Sequence, residues 1–561
     1  MNHYKLAALS LTLLFLSVLF QEKIAAQTHN EHVTIEGTFR PQVKNFDKIN
    51  AKPENTSIQF EPQSFQIRLL DRNYNKLSKL ETISPLRLQL RENKIITKNF
   101  LMAGFGTRLS PVFLYRHHSN LSDATSIGVG IKHFSTWTDA LDDQNSTFMN
   151  NKFDVEIGNN FSTHNLNTKL EYKYDSYYYN DLRQNTIQSV ASDTLKQNYQ
   201  NIGLQSVLSS SNTDFGYLQH EIGLKFNYLF DKFGAKETNI RLDAKLIDVF
   251  DWFNYNGDQA LGADLAFDYF DNKNKRESNN EMLFHASPYL RLQGDFYRLK
   301  IGLTFNYKTE KDPHFRIYPA IIGNLFVFDN DLEFYAGVDG GMRRICYTSL
   351  VGENPFVSSV LPLTFENTTF RFEGGVRSSA IQNVDLQAGI RFSTINNMPF
   401  YVADATTGFK NSMTLLYDNV KLFNFLVDFA WHHSSKFNVE GSFKLNNYSM
   451  DKLENPWYKP NYELTLEAFY NINDRLKANL GMVSNGKKNV LYLTSIDEKS
   501  YDYETKSIKA WIDLQVGADY NINELFSVYA QCTNLLNKKY ELFDNYPVYG
   551  IQLFGGIKVR F

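Results

Sequence analysis

The stretch IKHFSTW, residues 131–137, puts a histidine and a serine two positions apart. Side chains two apart on a strand share a face, so His133 and Ser135 could meet there while Phe134 points to the other side. A neutral imidazole beside a serine hydroxyl can make that hydroxyl a nucleophile, provided a third group holds the ring. The chain alone names no third group. The pairs His117–His118 and His432–His433 are immediate neighbours, so on strands their members diverge and read as interfacial residues. Cys346 and Cys532 are the only cysteines; they form no disulfide framework and read as two unpaired strand thiols, with pairing in an oxidising compartment as the alternative. No metal-ligand spacing and no phosphate-binding glycine loop occurs, so neither metal nor cofactor is expected.

The elements around these residues are strands. In YGIQLFGGIKVRF (549–561), Tyr549, Ile551, Leu553, Ile557, Val559 and Phe561 share one parity. Gln552, Phe554, Lys558 and Arg560 share the other. FRFEGGVRS (370–378), DLQAGIRFS (385–393) and WIDLQVGADY (511–520) repeat the pattern. Aromatics make up 15% of the chain against only 14 prolines, a composition suited to strands. A formal net charge of −3 offers no basic surface, so no nucleic-acid partner is expected.

Residues 1–26 read as a signal peptide: Lys5, the apolar core LAALSLTLLFLSVLF (6–20), then QEKIAA with Ala26 as the last residue before cleavage. After it no apolar run is long enough for a membrane helix. Strands that alternate apolar and polar residues cross a bilayer without such runs.

How the strands connect separates a membrane barrel from a soluble sandwich. Short polar turns (NIND 471–474, NINE 521–524, SSKF 434–437, AIQNV 380–384, DND 329–331, GDF 294–296 and THN 163–165) alternate with longer loops at 135–151, 346–367, 394–411 and 536–548. Outer-membrane barrels place short turns on the periplasmic side and long loops outside. The alternation stays in step if 197–211 is a strand and NTD (212–214) its turn. The expected fold is all-β: a transmembrane antiparallel β-barrel of about 22 strands over 99–561. Its last residue, Phe561, faces lipid and serves as the barrel assembly signal, while Lys558 and Arg560 face the lumen. Residues 27–98, with prolines at 41, 53, 62 and 85, read as an extended periplasmic N-terminal segment. YYY (177–179) and WY (457–458) read as interfacial girdle aromatics.

The carboxyl end resembles that of TonB-dependent receptors through Asn534, Leu535, Lys538, Lys539, Tyr540, Pro547, Gly550 and Phe561. HVTIEGTFRP (32–41), Lys48-Ile49, GFGTRLSP (104–111) and HFS (133–135) are similar to a narrower group of such proteins from Bacteroidota. The resemblance implies the cell outer membrane, transport, the barrel assembly machinery and surrounding outer-membrane lipid as partners, and contact with the TonB energy transducer. EHVTIEG (31–37) would then be the TonB-box-like strand, with Val33, Thr34 and Ile35 pairing to the transducer. The family's plug domain exceeds a hundred residues, whereas Gln27 to Lys98 spans 72, so a full plug is not expected. An unplugged barrel of this size is a wide pore unless loops or the amino segment close it.

The sequence thus reads as an outer-membrane transport protein for an unidentified solute, not an enzyme. Two alternatives stand beside it. One is an outer-membrane lipid hydrolase using His133 and Ser135, since such enzymes carry a His-x-Ser of this kind. The other is a barrel that docks surface lipoproteins.

Overall fold

The computed structural model describes residues 97–561 apart from 139–146, 180–191, 212–216, 251–256, 311–312, 329–330, 408, 410–411, 435 and 497–500. The signal peptide, the segment with Val33, Thr34 and Ile35, and the NTD turn lie outside the described residues.

The wall starts with β1 (Asn99–Gly106), β2 (Ser110–Asn120), β3 (Thr125–Thr136), β4 (Phe148–Asn160) and β5 (His164–Tyr178). It is one 22-stranded antiparallel sheet. The closing pair joins β1 to the last strand, Gln552–Arg560, from Phe100 opposite Arg560 to Gly106 opposite Phe554. Asn99 N donates to Phe561 O at 2.8 Å and Phe561 N returns the bond to Asn99 O at 3.1 Å. Closure leaves no strand edge, which is what lets a sheet stand in hydrocarbon. Tyr529 packs over this seam, and a Cβ at Gly104 would sit 2.0 Å from its hydroxyl, so glycine there makes room for the ring. The strand expected at 197–211 is present as Lys196–Ser210.

Alternation sets the two faces. Leu553, Ile557 and Phe561 are exposed, as are Ile131, Phe153, Leu170, Leu265 and Ile301 around the wall. Gln552, Phe554 and Lys558 are buried on the inner side. An apolar outer belt over a polar interior is the form in which a barrel crosses the outer membrane, and this chain resides there.

Both ends of the wall lie at one rim, with the NIND and NINE turns. In these turns Asn473 Oδ1 accepts from Arg475 N at 2.9 Å and Leu476 N at 2.8 Å. Asn523 Oδ1 does the same for Leu525 N and Phe526 N at 2.9 and 2.8 Å. The two hairpins are one solution used twice, an asparagine side chain closing the turn.

At the opposite, outer rim the structure corrects three expectations. The outer connections 107–109, 232–235 and 274–277 are as short as periplasmic turns. The stretch 394–411 is mostly sheet, because strands Val384–Ala403 and Met413–Ser434 run on past the bilayer with Tyr401 opposite Leu415. Likewise 135–151 is not a continuous loop: β3 continues to Thr136 and β4 begins at Phe148.

Candidate functional site

Two places combine chemistry with geometry: the outer mouth of the lumen and one spot on the membrane-facing wall.

The mouth is covered by its own connections. Phe356, Val357 and Leu361 from the connection after strand Leu332–Arg344 form one buried cluster. Phe400 and Tyr401, Trp457 and Tyr458, Val490 and Ile508, and Leu542, Phe543 and Tyr546 join it from four other strands or connections. Here lies another correction. Tyr179, Trp457 and Tyr458 are 2%, 3% and 6% exposed and belong to this cluster, not to a girdle at the membrane surface. Two small hairpins outside the wall, Lys488–Ile496 with Tyr501–Ile508 and Glu541–Phe543 with Tyr546–Pro547, supply part of it.

The connection 345–364 starts at the thirteenth wall strand and reaches the fifth to eighth. Tyr179 Oη donates to Val357 O at 3.0 Å and Tyr199 Oη to Pro355 O at 2.7 Å. Tyr347 Oη donates to Asp231 Oδ2 at 2.8 Å, and Ser359 Oγ also donates to that carboxylate. Gln197 Nε2 adds a bond to it at 3.0 Å. Glu237, fully buried, accepts from the backbone N–H of Tyr347 and from Thr348 N at 2.9 Å. Its charge thereby meets the free amides at the start of the short helix Tyr347–Glu353. Burial, then the Asp231 charge, pushes the Tyr347 hydroxyl well above its ordinary range, so it remains a donor. Cys346 and Cys532 are both free. Cys346 precedes that helix instead of lying in a strand, and burial pushes its thiol well above the ordinary range.

Below this cap the inner wall is charged and paired. Arg371 meets Asp339, Arg377 Nη1 meets Glu333 Oε1 at 2.7 Å, Arg391 Nη2 meets Glu373 Oε2 at 3.0 Å, and Lys558 meets Asp519. Near the periplasmic rim a cavity of about 620 Å³ is lined by Arg377, Asp385, Gln387, Asp428, Glu440 and Glu467. Four carboxylates against one guanidinium make this pocket acidic within a wall of mixed sign. Among the described residues no group of three or more metal-ligating side chains occurs.

The second place is on β3 and β4. Ile131 and Phe153, 38% and 41% exposed, mark the lipid side. His133 and Ser135 share the parity of Ile131, and Phe134, fully buried beside Phe148 and Phe554, points inward. His133 Nε2 lies 3.0 Å from Ser135 Oγ. The third member that the sequence could not name is Asn151, directly opposite His133 in the register, with Oδ1 2.7 Å from His133 Nδ1. An amide oxygen only accepts, so Nδ1 carries a proton, and in the neutral ring Nε2 offers its lone pair to the serine. The antiparallel register is the signal that finds it: β3 and β4 pair with position 151 across from 133.

No family model matches the sequence, and no curated protein matches it. Solved structures do. The siderophore receptor PirA from Acinetobacter baumannii superposes with a TM-score of 0.61 at 11% identity, covering 82% of this chain and 80% of that one. The ferric-catecholate import receptor Fiu from E. coli K12 gives 0.60 at 9%, covering 83% and 82%. The FrpB iron transporter from Neisseria meningitidis (F3-3 variant) gives 0.61 at 10%, covering 83% and 82%. At these identities the likeness is one of fold: this chain has the 22-stranded barrel of outer-membrane receptors.

Proposed function

We propose that the chain is an outer-membrane transport protein resembling TonB-dependent receptors, and that its outer connections are the gate. The observation that carries this reading is the span of 345–364 across the mouth, held on the far wall by Tyr179, Tyr199 and Asp231. A polar, salt-bridged lumen under a pinned cover suits a hydrophilic solute that enters when the cover moves. The acidic pocket near the periplasmic rim favours cationic cargo over anionic cargo in the last part of the path. The same barrel shape serves a siderophore receptor and an iron transporter, which supports uptake as the direction. Coupling to the energy transducer through Val33, Thr34 and Ile35, assembly through Phe561, and a lipoprotein docked on the outer surface belong to this reading as its further parts.

Planar-bilayer conductance of the purified barrel tests it. The unaltered chain is expected to conduct weakly, and deletion of 348–360 to open a large, stable conductance. A wide pore in the unaltered chain, or no gain on deletion, overturns the gate.

A further inference from the structure

We infer that the membrane-facing surface of β3 and β4 is an acyl-ester hydrolase site, with Ser135 as nucleophile, His133 as general base and acid, and Asn151 as the residue that positions the ring. The oxygen–nitrogen pairs run in order, Ser135 Oγ to His133 Nε2 at 3.0 Å and His133 Nδ1 to Asn151 Oδ1 at 2.7 Å. Histidine–asparagine contacts recur in this barrel: His117 Nδ1 meets Asn99 Oδ1 at 2.8 Å, and His432 Nδ1 meets Asn438 Oδ1 at 3.4 Å. Among the described residues neither of those rings has a hydroxyl on its second nitrogen. Among the described residues, His133 alone has a serine hydroxyl on one ring nitrogen and an amide oxygen on the other.

Location selects the substrate. β3 climbs from the periplasmic rim at Thr125, so His133 is its ninth residue and Ser135 its eleventh of 12. A tilted strand crosses the hydrocarbon in about 9–11 residues, which sets the pair at the outer edge of the apolar layer. Phe113, next to His133 in the register, and Ile131 and Phe153 flank it on the same face. Three polar side chains among apolar ones on a lipid-facing surface are costly unless they satisfy one another or act. Ester bonds of outer-leaflet lipids lie at this depth, with acyl chains below and head groups above. The substrate class is a long-chain carboxylic ester, carried by a glycerophospholipid or by an acylated glucosamine lipid.

The chemistry balances without a cofactor. Ser135 Oγ attacks the acyl carbonyl carbon while its proton passes to His133 Nε2. The ester C–O bond breaks and that proton leaves with the alcohol, giving an acyl-serine. Water then attacks the acyl carbon, His133 takes its proton, and the serine regains it as the free fatty acid departs. Asn151 holds Nδ1–H throughout and keeps the reactive tautomer. Ser135 is fully buried and His133 partly so, hence the ester must part the side chains over the hydroxyl. Reaction with a small probe is therefore part of the test.

The full-length barrel, folded in detergent, is incubated with a fluorophosphonate, with phosphatidylethanolamine micelles, and separately with lipopolysaccharide. Labelling and fatty-acid release are read by mass spectrometry. The unaltered chain should label at Ser135 and release fatty acid from one substrate, and which one identifies the lipid. Ser135→Ala should lose both signals. Asn151→Ala should slow release by roughly 10²- to 10⁴-fold. Asn151→Asp should restore it, with the acid limb of the pH profile moved up because a carboxylate stabilises the protonated ring. Heat-modifiable migration on gels certifies each variant as folded. Absence of both label and release in the folded unaltered chain, or release unchanged in Ser135→Ala, overturns the inference.

Discussion

Tyr546 lies face to face on Phe356, with ring centroids 3.7 Å apart and planes at 19°, although the two come from connections eight wall strands apart. The stack joins the last outer connection to the one that crosses the mouth, so it tests whether the cap is a single packed body. Phe356 is 1% exposed. Phe356→Ala removes a buried ring and leaves a cavity, at a cost of about 3–5 kcal/mol. That loss falls mainly on the cap, since the ring stacks on Tyr546 and meets the wall only edge-on at Tyr177 among its ring contacts in the described residues. Protease cleavage within 345–364 should speed up and conductance rise, with heat-modifiable migration unchanged. Equal loss of barrel and cap stability would show that they fold as one unit.

Asp231 is the anchor on the far wall. It accepts from Tyr347, Ser359 and Gln197, and its Oδ1 takes Ala235 N at 2.7 Å. Tyr347→Phe deletes one donor and should weaken the closed cap by about 1–3 kcal/mol, because hydrogen bonds to charged groups exceed neutral ones. Asp231→Ala strips all four donors of their acceptor and should do more. Single-channel opening frequency should rank unaltered, then Tyr347→Phe, then Asp231→Ala. Equal frequencies in all three would remove this anchor from the gate.

The wall was legible in the sequence because one face meets lipid and the other the lumen, so each strand alternates. The cap was not, and the reason is physical. Phe400, Tyr401 and Val402 are consecutive and all 3% exposed or less, since packing covers both faces of the strand extension. A run without alternation looks like a loop, and aromatics such as Trp457 look like girdle residues until their neighbours are known. Asn151 was hidden for a related reason. The polar run NNK interrupts the apolar alternation of FMNNKF, so its strand merged with the preceding loop and its pairing with His133 was invisible.

Lys558 and Asp519 hold the last strand to the strand Trp511–Asn521, beyond its direct partner. The lysine is 4% exposed. Lys558→Ala leaves a buried carboxylate without its cation, at about 3–5 kcal/mol. The variant should unfold at lower temperature in detergent and assemble less efficiently, while Lys558→Ala with Asp519→Ala should recover most of the loss. A double variant no better than the single would assign the effect to lost packing against Tyr529.

The proposed transducer contact makes a separate prediction. A proline removes a backbone donor and blocks a ladder bond, so Thr34→Pro should abolish pairing through Val33 and Ile35. A cysteine placed at position 33 should cross-link to the transducer in the parent and not in the proline variant, at equal barrel levels. No cross-link in the parent, together with passive conductance, would leave an uncoupled channel.

The outer hairpins give the cap a pH dependence of calculable sign. Lys506 Nζ lies 2.7 Å from Asp544 Oδ1 and 3.6 Å from Glu541 Oε2. Burial opposes its charge, but Asp544 and Glu541 outweigh burial and hold Lys506 above the usual lysine range. A raised lysine stabilises the packed state fully below its unfolded pKa, about 10.4, and that stability is lost as pH climbs through the higher folded value. Burial also pushes Glu541 up, with Lys506 opposing. A raised carboxyl contributes stability while protonated and loses it as pH rises through its folded value, above the ordinary carboxylate range. Both groups therefore loosen the cap in the alkaline direction, Glu541 in a lower window and Lys506 above about pH 10.4. Hydrogen exchange at Tyr501–Ile508 and Glu541–Phe543 should quicken in two steps beyond the intrinsic chemical rate. Lys506→Met should erase the upper step, and an upper step that persists in that variant would place the alkaline transition elsewhere in the cap.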